Sequence, residues 1–182
     1  MQASGEPGNG KSLIVPGWQR AGALNSLFAP YKSAPSNAKI ATPGCIYAAS
    51  PTKESQRPWE TVTPLAAWLN YTQGAPQFNT SYSIGGGESD LVKSVLALGG
   101  VVLVCWEHDN IMPNIMGAIN AKVPISNYLS IPNAFPDVFF LVWLLDLNDK
   151  GSSYTWTSVN QNLLAGDVIV TDERSRLREN AP

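Results

Sequence analysis

The chain has little of several things, and each shortage closes a class of function. Only 14% of its 182 residues are charged, well below the usual quarter, which argues for a well-buried fold and against a disordered or coiled-coil chain. Twelve Lys and Arg against fourteen Asp and Glu leave a net charge of −2. That balance gives no basic footprint for nucleic acid, and no Lys/Arg run suits a membrane surface. Two cysteines, Cys45 and Cys105, are too few for a disulfide scaffold at this length. Each falls in an apolar run and reads as a small buried hydrophobe in a reducing, cytoplasmic setting. The longest apolar run, residues 138–145, stops far short of the roughly 20 residues a membrane span needs. No signal peptide is read at the N-terminus, so the sequons at Asn70 and Asn79 are expected to carry no glycan. There is one histidine, His108.

What the chain does have is apolar residues, 44% of the total, with fifteen Gly and fourteen Pro. That is enough for a sizeable core joined by many loops. Residues 17–28 carry apolar positions at helical spacing and stop before Ala29-Pro30. Residues 44–49, GCIYAA, read as a short buried strand. Residues 57–70, with Pro58 in the first turn, read as a helix. Residues 88–98 read as a helix whose acidic start suits the helix dipole. Residues 101–106, VVLVCW, are apolar at every position, the pattern of a central strand covered by helices on both sides. A helix over 110–122 comes next, then a strand over 139–147 paired with another over 155–160. Strands alternating with helices predict an α/β fold, a three-layer sandwich with a mostly parallel sheet flanked by helices. The whole of 1–182 reads as one domain, with a loop over 1–16 and a frayed, charged tail over 172–182.

One stretch, GEPGNGKS at residues 5–12, spells the phosphate-binding loop G-x-x-x-x-G-K-[ST]. Such a loop works when a buried strand feeds it and a helix leaves it. Here only Met1-Gln2-Ala3-Ser4 precede it, and Pro16-Gly17 interrupt the segment after it. The spelling is read as accidental.

Two other residues carry more weight. His108 directly succeeds VVLVCWE, at the C-terminal end of a strand, the edge where open α/β sheets bind ligands. Arg57 comes after the strand over 44–49 and lies at a helix start, where a guanidinium suits a bidentate grip on phosphate.

Four segments, in order, resemble the histidine phosphatase superfamily, the phosphoglycerate-mutase-like fold. They are GWQRAGAL at 17–24, IYAASPTKESQRPWETVTPLAAWL at 46–69, VVLVCWEHDNIMPNI at 101–115 and VNQNLLAGD at 159–167. The resemblance implies attack on phosphorus by one histidine to form a phosphohistidine, two arginines and a second histidine holding the phosphoryl oxygens, and a carboxylate as proton donor. Arg57, with Thr61 after it, matches the second arginine, and His108 matches the second histidine. Glu88 is the candidate proton donor, with Asp90 its alternative. No cofactor or metal is implied.

The chain departs from the pattern at its first motif. Gln2 to Pro7 stand where an Arg-His-Gly loop belongs, so both that arginine and the nucleophilic histidine are absent, and the first central strand is missing or altered. The expectation is a phosphate- or phosphoester-binding pocket with impaired catalysis. The alternatives are an active phosphomonoester hydrolase using another nucleophile such as Ser4, and a non-catalytic interaction module. An uncovered sheet edge is costly to a soluble monomer, so the N-terminal segment or a second copy of the chain is expected to cover it.

Overall fold

A computed structural model describes residues 10–33, 35, 37–74 and 76–167. The tail over 172–182 and the loop up to Asn9 lie outside the described residues. The first helix, α1 (Val15–Phe28), opens with Pro16 in its first turn, where the missing N–H costs nothing. It buries Ala21, Leu24, Leu27 and Phe28 along one stripe. Strand β1 (Cys45–Ala48) is buried throughout. Helix α2 (Arg57–Gln73) buries Val62, Leu65, Ala66 and Leu69 at i, i+3, i+4 and i+7. Its Trp68 donates the indole N–H to the Ala29 carbonyl at 2.7 Å and so ties α2 to the end of α1. Strand β2 (Gln77–Asn79) is three residues long, inside a stretch the sequence predicts as loop. Helix α3 (Glu88–Leu96) begins on two acids, and strand β3 (Val102–Cys105) comes after it.

The expected single helix over 110–122 is broken. His108–Asn110 make one turn, and Met112, before Pro113, is extended at φ −114° and ψ 130°. That is the conformation a residue preceding proline favours. Helix α4 (Met116–Lys122) starts only beyond it. Strands β4 (Leu141–Leu147) and β5 (Tyr154–Asn160) form an antiparallel hairpin, the pairing the sequence predicts.

The architecture is mixed α/β. Strands β2, β1 and β3 make a parallel sheet in that order, and β4–β5 make a separate two-stranded sheet. Alternate residues of β1 enter two hydrophobic clusters. Ile46 and Ala48 join α1 and α2 residues in the first. Cys45 and Tyr47 join Leu91, Val92, Met116 and Ile119 in the second.

The pattern over residues 101–106 predicts a central strand; among the described residues β1 is paired along both edges and β3 along one. The all-apolar pattern reports that both faces of β3 are covered, and they are: Leu103 and Cys105 pack on the first cluster, Val102 and Val104 on the second. It carries no information on whether both edges are paired, because edges are bonded by backbone. Both cysteines are free thiols, with Cys45 buried and Cys105 half-buried. Among the described residues, no helix is long and apolar enough to cross a membrane.

Candidate functional site

Because β1, β2 and β3 run parallel, the loops leaving all three gather at one edge, and that edge holds the residues singled out from the sequence. The register Ala48↔Cys105 sets the ends of β1 and β3 side by side. The chain leaves β1 toward Arg57 and leaves β3 toward His108. Ser50 N–H donates to the Tyr82 carbonyl at 2.8 Å, which joins the β1 loop to the loop after β2.

Arg57 is exposed at the start of α2, and its Nη2 donates to the Gly10 carbonyl at 2.7 Å. Two further contacts dock the Gly10–Leu13 stretch on that helix start. Gln56 N–H donates to the Lys11 carbonyl at 2.7 Å. Buried Glu60 accepts Ser12 Oγ at 2.6 Å and Leu13 N–H at 2.7 Å. A carboxylate therefore already takes donors that a phosphate would need from this loop. Gly5 to Asn9, with Gln2, Ser4 and the rest of the first-motif segment, lie outside the described residues.

His108 has a side chain 42% exposed, with Nε2 3.2 Å from Asp109 Oδ1. Beside it, Glu107 accepts the Asn110 side-chain N–H at 2.6 Å.

Glu88 is buried at the start of α3. It accepts Gly85 N–H and Gly86 N–H, each at 2.8 Å, and Trp106 Nε1–H at 3.3 Å. Burial alone would push its pKa up, but these N–H donors outweigh burial and hold it below the usual carboxylate value. The chemistry of that arrangement is an ionised acceptor closing a glycine turn. Asp90 is exposed and ion-paired with Lys93 at 2.7 Å, which lowers its pKa. Thus Arg57 and His108 come after neighbouring strand ends, Glu88 is bonded to Gly85, Gly86 and Trp106, and Asp90 pairs with its own lysine.

Cys105 is the one thiol at this edge among the described residues. Burial pushes it up to about 12, against a weaker opposing bond from Thr61. It stays a neutral thiol and offers no replacement nucleophile. No group of three or more His, Cys, Asp or Glu converges to hold a metal among the described residues.

Sequence reasoning missed two features. Glu60 is one, although an acid in the first turn of a helix was a usable signal. The other is Arg20, which grips Asp167 through both guanidinium nitrogens at 3.0 and 2.6 Å and also reaches Gln161 at 3.1 Å. Arg20 belongs to GWQRAGAL, and Gln161 and Asp167 to VNQNLLAGD, so two of the four resembling segments are bonded together.

Two open grooves lie away from this edge. One, about 400 Å³, is lined by Ser26, Asn37, Asn160, Gln161 and Asn162. The other, about 300 Å³ and mainly apolar, runs over Thr63, Ala66, Asn70, Pro76 and Phe78. Neither is lined by Arg57, Glu88 or His108. No family model, curated protein or solved structure matches this chain.

Proposed function

We propose that the chain is a histidine-phosphatase-like domain that binds phosphate, or a phosphorylated small molecule, at the C-terminal edge of its parallel sheet. In this reading Arg57 and His108 hold the phosphoryl oxygens. The observation that carries it is the pairing of β1 with β3, whose register brings the chain ends leading to Arg57 and to His108 next to one another. Arg57 is already used as a donor to the Gly10 main chain; an incoming phosphate would displace or share that bond. Turnover is impaired, since the 182 residues contain no histidine besides His108 and phosphoryl transfer through a phosphohistidine needs one. The sheet completes a three-layer sandwich once a further strand lies beside β3. No cofactor takes part, and the free thiols suit a cytoplasmic setting.

The test pairs p-nitrophenyl phosphate hydrolysis across pH with melting in phosphate or vanadate, for the parent, Arg57→Ala and His108→Ala. The expected outcome is no turnover in any of the three and a phosphate-dependent rise in Tm lost in both variants. A Tm indifferent to both anions would sink the pocket. Hydrolysis abolished by His108→Ala would replace impaired catalysis with an active phosphomonoester hydrolase.

A further inference from the structure

The last three residues of the phosphate-loop spelling, Gly10-Lys11-Ser12, have a place in the fold that inverts the spelling. In a phosphate-binding loop the main-chain N–H groups face the anion. Here main-chain carbonyls face the donors at the start of α2. Gly10 O accepts Arg57 Nη2 at 2.7 Å, and Lys11 O accepts Gln56 N–H at 2.7 Å. In this arrangement Gly10 is held at φ +69°, the left-handed region that a side chain opposes.

The stretch divides into an anchored part and a movable part. Glu60 is buried and both its oxygens are used, Oε1 by Ser12 Oγ at 2.6 Å and Oε2 by Leu13 N–H at 2.7 Å. Parting them would leave a buried carboxylate without these donors, which is costly. Leu13 also lies on Gly17 of α1, where an added Cβ would come within 3.0 Å of Leu13 Cδ2. Gly10, Lys11, Gln56 and Arg57 are all exposed. Bonds between exposed groups exchange readily for bonds to water and add little net stability, so residues 10 and 11 open at low cost while Ser12 and Leu13 stay in place.

We propose that Gly10 and Lys11 form an autoinhibitory strap, hinged at Ser12 and Leu13, that competes with the anion for the start of α2. Closed, the strap seats two carbonyl oxygens on Arg57 and on the Gln56 N–H, where two phosphoryl oxygens would bind. Open, it releases both donors to inorganic phosphate or a phosphate monoester. A carbonyl carries only partial charge, and a guanidinium bonds an anionic oxygen about twice as strongly as a neutral one, so phosphate displaces the strap and water does not. The apparent affinity is the intrinsic affinity reduced by the open fraction; whatever lifts the strap therefore tightens binding. This inference rests on the Arg57 part of the reading above and adds the element of the chain that opposes it.

Gly10→Ala tests the strap, because its Cβ would meet no described atom within 4 Å and only the φ of +69° opposes it. The variant is expected to open the strap about fivefold and to tighten inorganic phosphate by about the same factor, read from Tm against phosphate concentration at constant ionic strength. Gly10→Asn, whose side chain tolerates left-handed backbone better, is expected to fall between Gly10→Ala and the parent. Without phosphate, hydrogen exchange at the Gln56 amide is expected to quicken in Gly10→Ala while the Leu13 amide stays as slow as in the parent. Weaker phosphate binding in Gly10→Ala would overturn the strap in favour of a lid that helps to hold the anion. Equal quickening at Gln56 and Leu13 would remove the hinge and overturn it too. Phosphate that protects all three proteins equally would sink the strap alone and leave the pocket standing. Phosphate that moves the Tm of none of them would sink the pocket, and the competition with it.

Discussion

Buried carboxylates do much of the positioning at the residue scale. Glu60 pins the Gly10–Leu13 stretch, Glu88 closes the glycine turn before α3, and Asp167 holds the end of the described chain to α1 through Arg20. Bonding to Arg20, opposed by burial, brings the Asp167 carboxyl down to about 2, and its side chain is 4% exposed. A carboxyl with a depressed folded pKa gives stability that is full above the unfolded value, near pH 4, and lost as pH falls through the folded value. Urea unfolding is therefore expected to lose on the order of 2 kcal/mol between about pH 4 and pH 2 from this group alone. Asp167→Asn should remove that share of the pH dependence; an unchanged acid slope in the variant would show that the clasp contributes nothing. Residues 20 and 167 have no local pattern that pairs them, so this contact was not legible. Arg57 and His108 were, because each comes after a strand whose end could be read.

Conformation at the element scale hangs on a few backbone positions. A Cβ at Gly87 would lie 2.5 Å from the Ser83 carbonyl oxygen and 2.7 Å from its nitrogen, both main chain. Gly87 N–H also donates to that carbonyl at 3.0 Å. Gly87→Ala is expected to cost about 1–3 kcal/mol by overpacking, whereas Gly99→Ala, with open space around its Cβ, should stay within about 0.5 kcal/mol. Matched denaturant melts read the difference, and equal midpoints would remove the steric argument. Helices α1, α2 and α3 were legible because each carries an apolar stripe over two or more turns. Strand β2 was not, since three residues are too few for a period-two pattern to register. The break before α4 escapes the apolar pattern, which runs on past Pro113; the proline itself was the usable signal.

Over the described molecule the parallel sheet and the hairpin share hydrophobic clusters but no ladder, and the bridge Ile125↔Tyr154 ties β5 to the segment after α4. Local opening should therefore cost less in the hairpin than in β1, which is buried on both faces and bonded at both edges. Native-state hydrogen exchange is expected to give the slowest amides in β1 and lower opening free energies in β4 and β5. Equal protection in the two would mean that one cooperative unit includes both.

The sequence by itself determined the class of elements, their order, the apolar faces they bury and the strand ends at which Arg57 and His108 stand. Those come from side-chain periodicity and turn chemistry, which are local. Only the tertiary structure decided that, among the described residues, β1 is paired along both edges, that Arg20 meets Asp167, and that the hairpin keeps its own ladder. Edge pairing is made by backbone groups that every residue shares, and long-range contacts depend on how the faces stack, so neither leaves a mark in the order of the side chains.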